Sequence, residues 1–169
     1  EIVHRDYAFW ETQGHYDEIE RYVNWLQPHL SAQGSSRDQA TNLLLLGRLA
    51  LRHEQYDQAA AYWDQALRLA ETAELLLLAC DLHRELGSMQ THLRQYERAA
   101  WHLESARSLA ESLGDEQRGV MALGELCRLN FLIGELEMAS VFCREAEASA
   151  LRLEDELRLS GLLVYRGAI

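Results

Sequence analysis

Lysine is absent from this chain: all 16 cationic residues are arginine, set against 27 carboxylates, and the formal net charge is −11. No basic run is present to neutralise a phosphate backbone or an anionic bilayer, so direct nucleic-acid binding by this segment is not expected. Without lysine the phosphate loop G-x-x-x-x-G-K-[ST] cannot form, so any nucleotide-driven motor would lie outside these residues. Proline occurs once, at Pro28, inside a helical pattern that it should end or kink near Gln27. Long apolar runs are missing too. Leu43 to Leu46 and Leu75 to Leu78 are far short of the roughly 20 residues that span a bilayer, so no membrane partner is expected. Cysteine is sparse and odd in number (Cys80, Cys127, Cys143), which points to reduced thiols and a cytoplasmic setting, not a disulfide framework. H-E-x-x-H, C-x-x-C and G-x-S-x-G are all absent, so no enzyme and no cofactor is expected. The opening residues Glu1 to Asp6 carry no initiator methionine or signal pattern, which leaves targeting unreadable.

What the chain does have is Ala, Leu, Glu, Gln and Arg in abundance, the composition of an almost wholly helical protein. It also has an internal period of 40 residues. Tyr56 aligns with Tyr16, Tyr96 and Leu136; Ala59 with Ile19, Ala99 and Ala139; Ala66 with Leu26, Ala106 and Ala146. Trp63 aligns with Val23, Leu103 and Cys143, while Gly47 aligns with Gly87, Cys127 and Gly167. Four units follow, at about 1–34, 35–74, 75–114 and 115–154, with a fifth beginning at 155–169.

Each unit reads as two helices joined by a short turn, and short turns make successive helices antiparallel. In the second unit the spacing predicts helices from about Gln39 to His53 and from about Asp57 to Thr72, with Glu54 at the turn where Gly14 and Gly134 stand in other units. Gly114-Asp115 and Gly34-Ser35-Ser36 read as the end of one helix and the cap of the next. One such pair cannot hide its apolar face alone, so pairs must stack on a shared core. The small residues of the alanine and glycine columns let helices approach, and Tyr56, Trp63, Tyr96 and Leu103 fill the gaps between them. Trp10, Trp25, Trp63 and Trp101 could also suggest a ligand cage, but helical spacing and the repeat register make packing between helices the simpler account, at least for Trp63.

Leu43-x2-Leu46-Gly47 with Ala59-x3-Trp63-x2-Ala66 resembles the tetratricopeptide repeat. His83-x2-Leu86-Gly87 with Ala99-x3-Leu103-x2-Ala106, and Leu123-x2-Leu126-Cys127 with Ala139-x3-Cys143-x2-Ala146, follow the same pattern. The first unit departs furthest, with Tyr7 where glycine is expected, and resembles a capping repeat. The resemblance implies an all-α, right-handed superhelix of tandem antiparallel helix pairs. A 40-residue period, longer than the usual 34, is similar to the sensor arms of STAND-type signalling ATPases and maltose-regulator-like transcriptional activators. Such an arm binds a protein or ligand and signals to neighbouring domains of the same chain. Adaptor scaffolds and bacterial receptors for signalling peptides share the repeat length and stay open as alternatives. Gly167-Ala168-Ile169 falls inside a repeat, as expected of a piece of a larger protein.

In arrays of this kind the first helix of each pair lines the concave surface. Carried over, that places Arg48, Leu51 and Arg52 there, then Arg84, Ser88 and His92, then Arg128 and Phe131. An arginine-bearing groove suits a peptide or other partner with acidic groups, because guanidinium pairs bidentately with carboxylate and phosphate. Equally, these arginines could pair within the protein, with Glu85, Glu125 or the acids of the next repeat. The chaperone-binding carboxylate clamp is not reproduced. Cys80, His83 and His92 share a helix, but two ligands without a clear third and fourth do not make a zinc site. Glu135, Glu137, Glu145, Glu147, Glu154, Asp155 and Glu156 are expected on solvated outer faces.

Overall fold

A computed structural model describes residues 16–155 together with Leu159, Leu162 and Gly167. The described residues are helical throughout and contain no strand. Seven helices lie among them: α1 (Tyr16–Gln33), α2 (Ser36–Arg52), α3 (Tyr56–Thr72), α4 (Leu76–His92), α5 (Tyr96–Leu113), α6 (Glu116–Ile133) and α7 (Leu136–Arg152). Tyr7, Trp10, Gly14 and most of the expected fifth unit lie outside the described residues.

One joint recurs between them. Glu54, Glu74, Arg94, Gly114, Gly134 and Glu154 all adopt positive φ, between 53° and 86°, at steps of 20 residues. At each, the following residue donates its N–H to a carbonyl five residues back: Gln55 to Ala50, Leu75 to Ala70, Gln95 to Gln90, Asp115 to Ala110, Glu135 to Asn130 and Asp155 to Ala150. This is the Schellman closure, and it satisfies carbonyls that a helix end would otherwise orphan. Glycine enters that conformation freely, whereas other L-residues pay a steric penalty from Cβ. Arg94→Gly should therefore stabilise the protein by about 1 kcal/mol, read as a higher urea midpoint at unchanged slope.

The chain divides into two compact units, 1–75 and 76–169. In the first, α2 packs between α1 and α3. Ser35 caps α2, its hydroxyl accepting from the Asp38 N–H at 3.2 Å, so the helix starts three residues before the hydrophobic pattern does. Trp63 is fully buried, and its indole N–H donates to the Leu44 carbonyl at 3.0 Å. Opposite stands Gly47, where a Cβ would sit 2.2 Å from the indole nitrogen. Pro28 does not end α1, which continues to Gln33; losing one N–H removes a single backbone hydrogen bond, and the remaining turns carry the helix past it.

In the second unit, α4 pairs with α5, α6 with α7, and α6 also packs on α5 and α4. The seam found at Gly47 and Trp63 recurs 40 residues on, where a Cβ on Gly87 would meet Leu103 at 2.6 Å. A further 40 on, both partners are cysteines. Cys127 and Cys143 are joined by a disulfide with Cα atoms 5.3 Å apart, which overturns the reduced-thiol expectation for these two and leaves Cys80 as the free thiol. The physical reason is the register: two columns 16 residues apart face each other at Gly47 and Trp63, at Gly87 and Leu103, and here, so cysteine in both meets itself. Ala59, Ala99, Ala139 and Ala66, Ala106, Ala146 are all fully buried, as the small columns predict.

Candidate functional site

Ser88 and Arg128 of the expected groove come together where α4 and α6 meet, and Arg84 lies one turn before Ser88 on α4. The Arg128 guanidinium donates to the Ser88 hydroxyl at 3.1 Å and to Glu125 at 2.6 Å, while Arg84 donates to Glu85 at 2.6 Å. Both ion pairs are mostly shielded from water, with side-chain exposures of 12–24%. Removing one partner from such a pair leaves a poorly solvated charge, so these arginines are held by the protein's own carboxylates. Phe131 is half-buried and His92 exposed near the ends of α6 and α4, respectively; in the first unit, Arg48 and Leu51 are half-buried and Arg52 is exposed.

A second clasp joins α4 to α6 nearer the start of each. Arg118 donates from Nε and Nη2 to the two oxygens of Asp81, at 2.9 and 2.8 Å, and from Nη1 to Asp115 at 2.7 Å. Asp115 is the cap of α6 and also accepts the Arg118 backbone N–H at 2.9 Å. That backbone hydrogen bond, with the guanidinium beside it, holds the Asp115 carboxyl below its usual range, and the Asp81 hydrogen bonds raise the Arg118 pKa. The cap was legible as Gly114-Asp115; the partner, 37 residues back on α4, was not.

The sequence reading missed a histidine pair. His83 on α4 and His102 on α5 are both buried, with their Nδ1 atoms 2.9 Å apart. Trp101 packs edge-on against both rings, at centroid distances of 5.4 and 4.6 Å. Burial, then the neighbouring His83, pushes the His102 pKa down to about 4. Cys80, which sequence spacing placed beside His83, instead donates its thiol to the Ala106 carbonyl at 3.2 Å, and burial raises its pKa to about 11. Among the described residues no three His, Cys, Asp or Glu side chains gather to hold a metal ion.

Two further expectations need correction. Trp101 and Trp25 are 61% and 59% exposed, so only Trp63 among the described tryptophans is buried between helices, while Trp101 lies at the surface with its ring against His83 of α4. Glu147 is buried, because it lies four residues beyond Cys143 on the inward stripe of α7. Glu135, Glu137, Glu145 and Glu154 are exposed as expected, and Asp155 is half-buried.

Between α5, the first turns of α6, and α7 the surface opens into a cleft of about 480 Å³. Its apolar lining is Ala110, Val120, Leu123 and Ala148, and its charged rim includes Arg107, Glu111, Glu116, Glu145 and Arg152.

No family model matches the chain, and no curated protein does. Among solved structures it is similar to one described as the crystal structure of BtubC (BKLC) from P. vanneervenii. The TM-score is 0.75, over 94% of this chain and 69% of that one, at 18% sequence identity. The fold is that of a helical-repeat protein. At that identity the likeness concerns architecture alone, and it agrees with the paired helices and the 20-residue joints. No described helix is long and apolar enough to cross a membrane.

Proposed function

We propose that this chain is a binding module of the tetratricopeptide type, the sensing or partner-recruiting arm of a larger regulatory protein such as a STAND-type ATPase. The observation that supports it is the surface of the second unit. There, helix pairs joined at a constant step present clasped arginines and an open cleft. A rigid scaffold bearing varied surface side chains is how repeat proteins recognise partners. An acidic ligand at Arg84 and Arg128 would have to displace Glu85 and Glu125, which favours recognition elsewhere on the surface.

The rival is a scaffold that binds constitutively. Disulfide bonding between Cys127 and Cys143 withdraws the thiol argument for a cytoplasmic site, so location does not separate the two. The deciding test is the full-length protein. A phosphate-loop ATPase in the same chain, whose hydrolysis rate changes when this arm meets its partner, supports a sensor. Repeats alone on both sides, with binding indifferent to nucleotide, sink the sensor reading and leave the scaffold.

A further inference from the structure

The cleft between α5, α6 and α7 carries more negative than positive charge, and its cations are already committed. Arg107 donates to Glu104 at 2.9 Å and to Glu111 at 2.8 Å; Arg152 donates to Glu116 at 3.2 Å and to the Ser149 hydroxyl at 2.8 Å. Arg118 is held by Asp81 and Asp115. Glu145 adds its field at Arg107. Among the residues that line the cleft, two guanidiniums, Arg107 and Arg152, thus face four carboxylates, Glu111, Asp115, Glu116 and Glu145, within an already acidic protein. An anion would meet net repulsion here; a cation would meet carboxylates around an apolar floor.

Part of this charge follows the repeat, since Glu111 matches Glu71 and Asp115 and Glu116 match Asp155 and Glu156. Arg107, Glu145 and Arg152 do not: their equivalents 40 residues earlier are Leu67, Ser105 and Ser112. The floor is also open: a Cβ on Gly119, within the cleft, would meet nothing within 4 Å.

We infer that this cleft docks a basic segment of a partner protein, an arginine or lysine flanked by apolar residues, with the cationic head at the Glu111, Glu116 and Glu145 rim and its neighbours on Ala110, Val120 and Leu123. The inference rests on the chain being a binding module and assigns that module a surface and a partner chemistry.

The probe is a fluorescein-labelled peptide of alternating leucine and arginine, with an alternating leucine and glutamate peptide as its opposite, titrated by anisotropy against the whole chain at low and physiological salt. The basic peptide should bind and the acidic one should not. Glu145→Lys, at the rim, should weaken binding at least tenfold, whereas Glu137→Lys, an equal charge change on the same helix outside the cleft, should change it less than twofold. Gly119→Leu fills the cleft without touching a charge and, in a helix, without a folding penalty; it should abolish binding at a thermal stability no lower than that of the wild type. Equal weakening by Glu137→Lys and Glu145→Lys, or binding that survives Gly119→Leu, overturns the cleft while leaving a binding module intact. Failure of the basic peptide to bind at all also overturns it. Failure of the sensor reading would appear instead in the nucleotide experiment on the full-length protein.

Discussion

Replacing Trp63 with alanine should cost about 3–5 kcal/mol, the usual penalty for emptying a fully buried aromatic site. The loss has three sources: the apolar area of the indole, the hydrogen bond its N–H gives to the Leu44 carbonyl, and the void left against Gly47. Gly47 cannot fill that void, and α2 and α3 are held apart by the rest of their contacts. Trp63→Leu should cost clearly less, since the second unit solves the same seam with Gly87 and Leu103. Urea unfolding of wild type, Trp63→Ala and Trp63→Leu gives the ranking directly. Equal losses for the two variants would mean that the seam does not transfer between pairs. Against a total stability of about 5–15 kcal/mol, the alanine variant should leave the first unit marginal or unfolded.

Acidification should produce the second large effect. An imidazole whose folded pKa lies near 4 and whose unfolded pKa is 6.5 binds more protons when unfolded, so stability falls as pH drops. His102 contributes fully above about pH 6.5. Its contribution declines through the window down to about pH 4, by roughly 1.4 kcal/mol per pH unit and about 3 kcal/mol in all. Below the ordinary carboxyl range the depressed Asp115 pKa adds a loss of the same sign, because its charged form is the one the fold stabilises. Denaturation midpoints at pH 7.5, 6, 5 and 4 measure the slope. His102→Gln should flatten it between pH 6.5 and 4 at some cost to stability at neutral pH. An unchanged slope in that variant would mean that other groups carry the acid sensitivity. Trp101, edge-on to both imidazoles, provides a local fluorescence readout of the protonation.

How much of this was legible in the sequence depends on which kind of contact is concerned. Helix positions followed from period and capping, because both are local: Gly114, Asp115 and Ser35 act where the pattern placed them. The joints were visible where glycine marked them and, through the repeat register, at Glu54. Glu54, Glu74, Arg94 and Glu154 occupy the same conformation, held by the closure of the turn and not by their own preference. Trp101 was misread from residue type, although its register already set it apart: the position 40 residues after Trp63 is Leu103, so Trp101 falls off the buried stripe. Cys127 and Cys143 were each placed in the correct column, yet their union needed the knowledge that the two columns touch. The cleft needed that knowledge for three helices at once.

The constant step between joints has a mechanical corollary. Pulled from its ends, a helix pair releases 40 residues, about 130–145 Å of chain at full extension, whichever pair gives way. The pair formed by α6 and α7 breaks that uniformity: the disulfide spans 16 residues that tension cannot reach, so only about 80 Å would be released there until the bond is reduced. The helix pair that includes Cys127 is thus a length marker, distinguishable from its neighbours by how far it lets the chain run out.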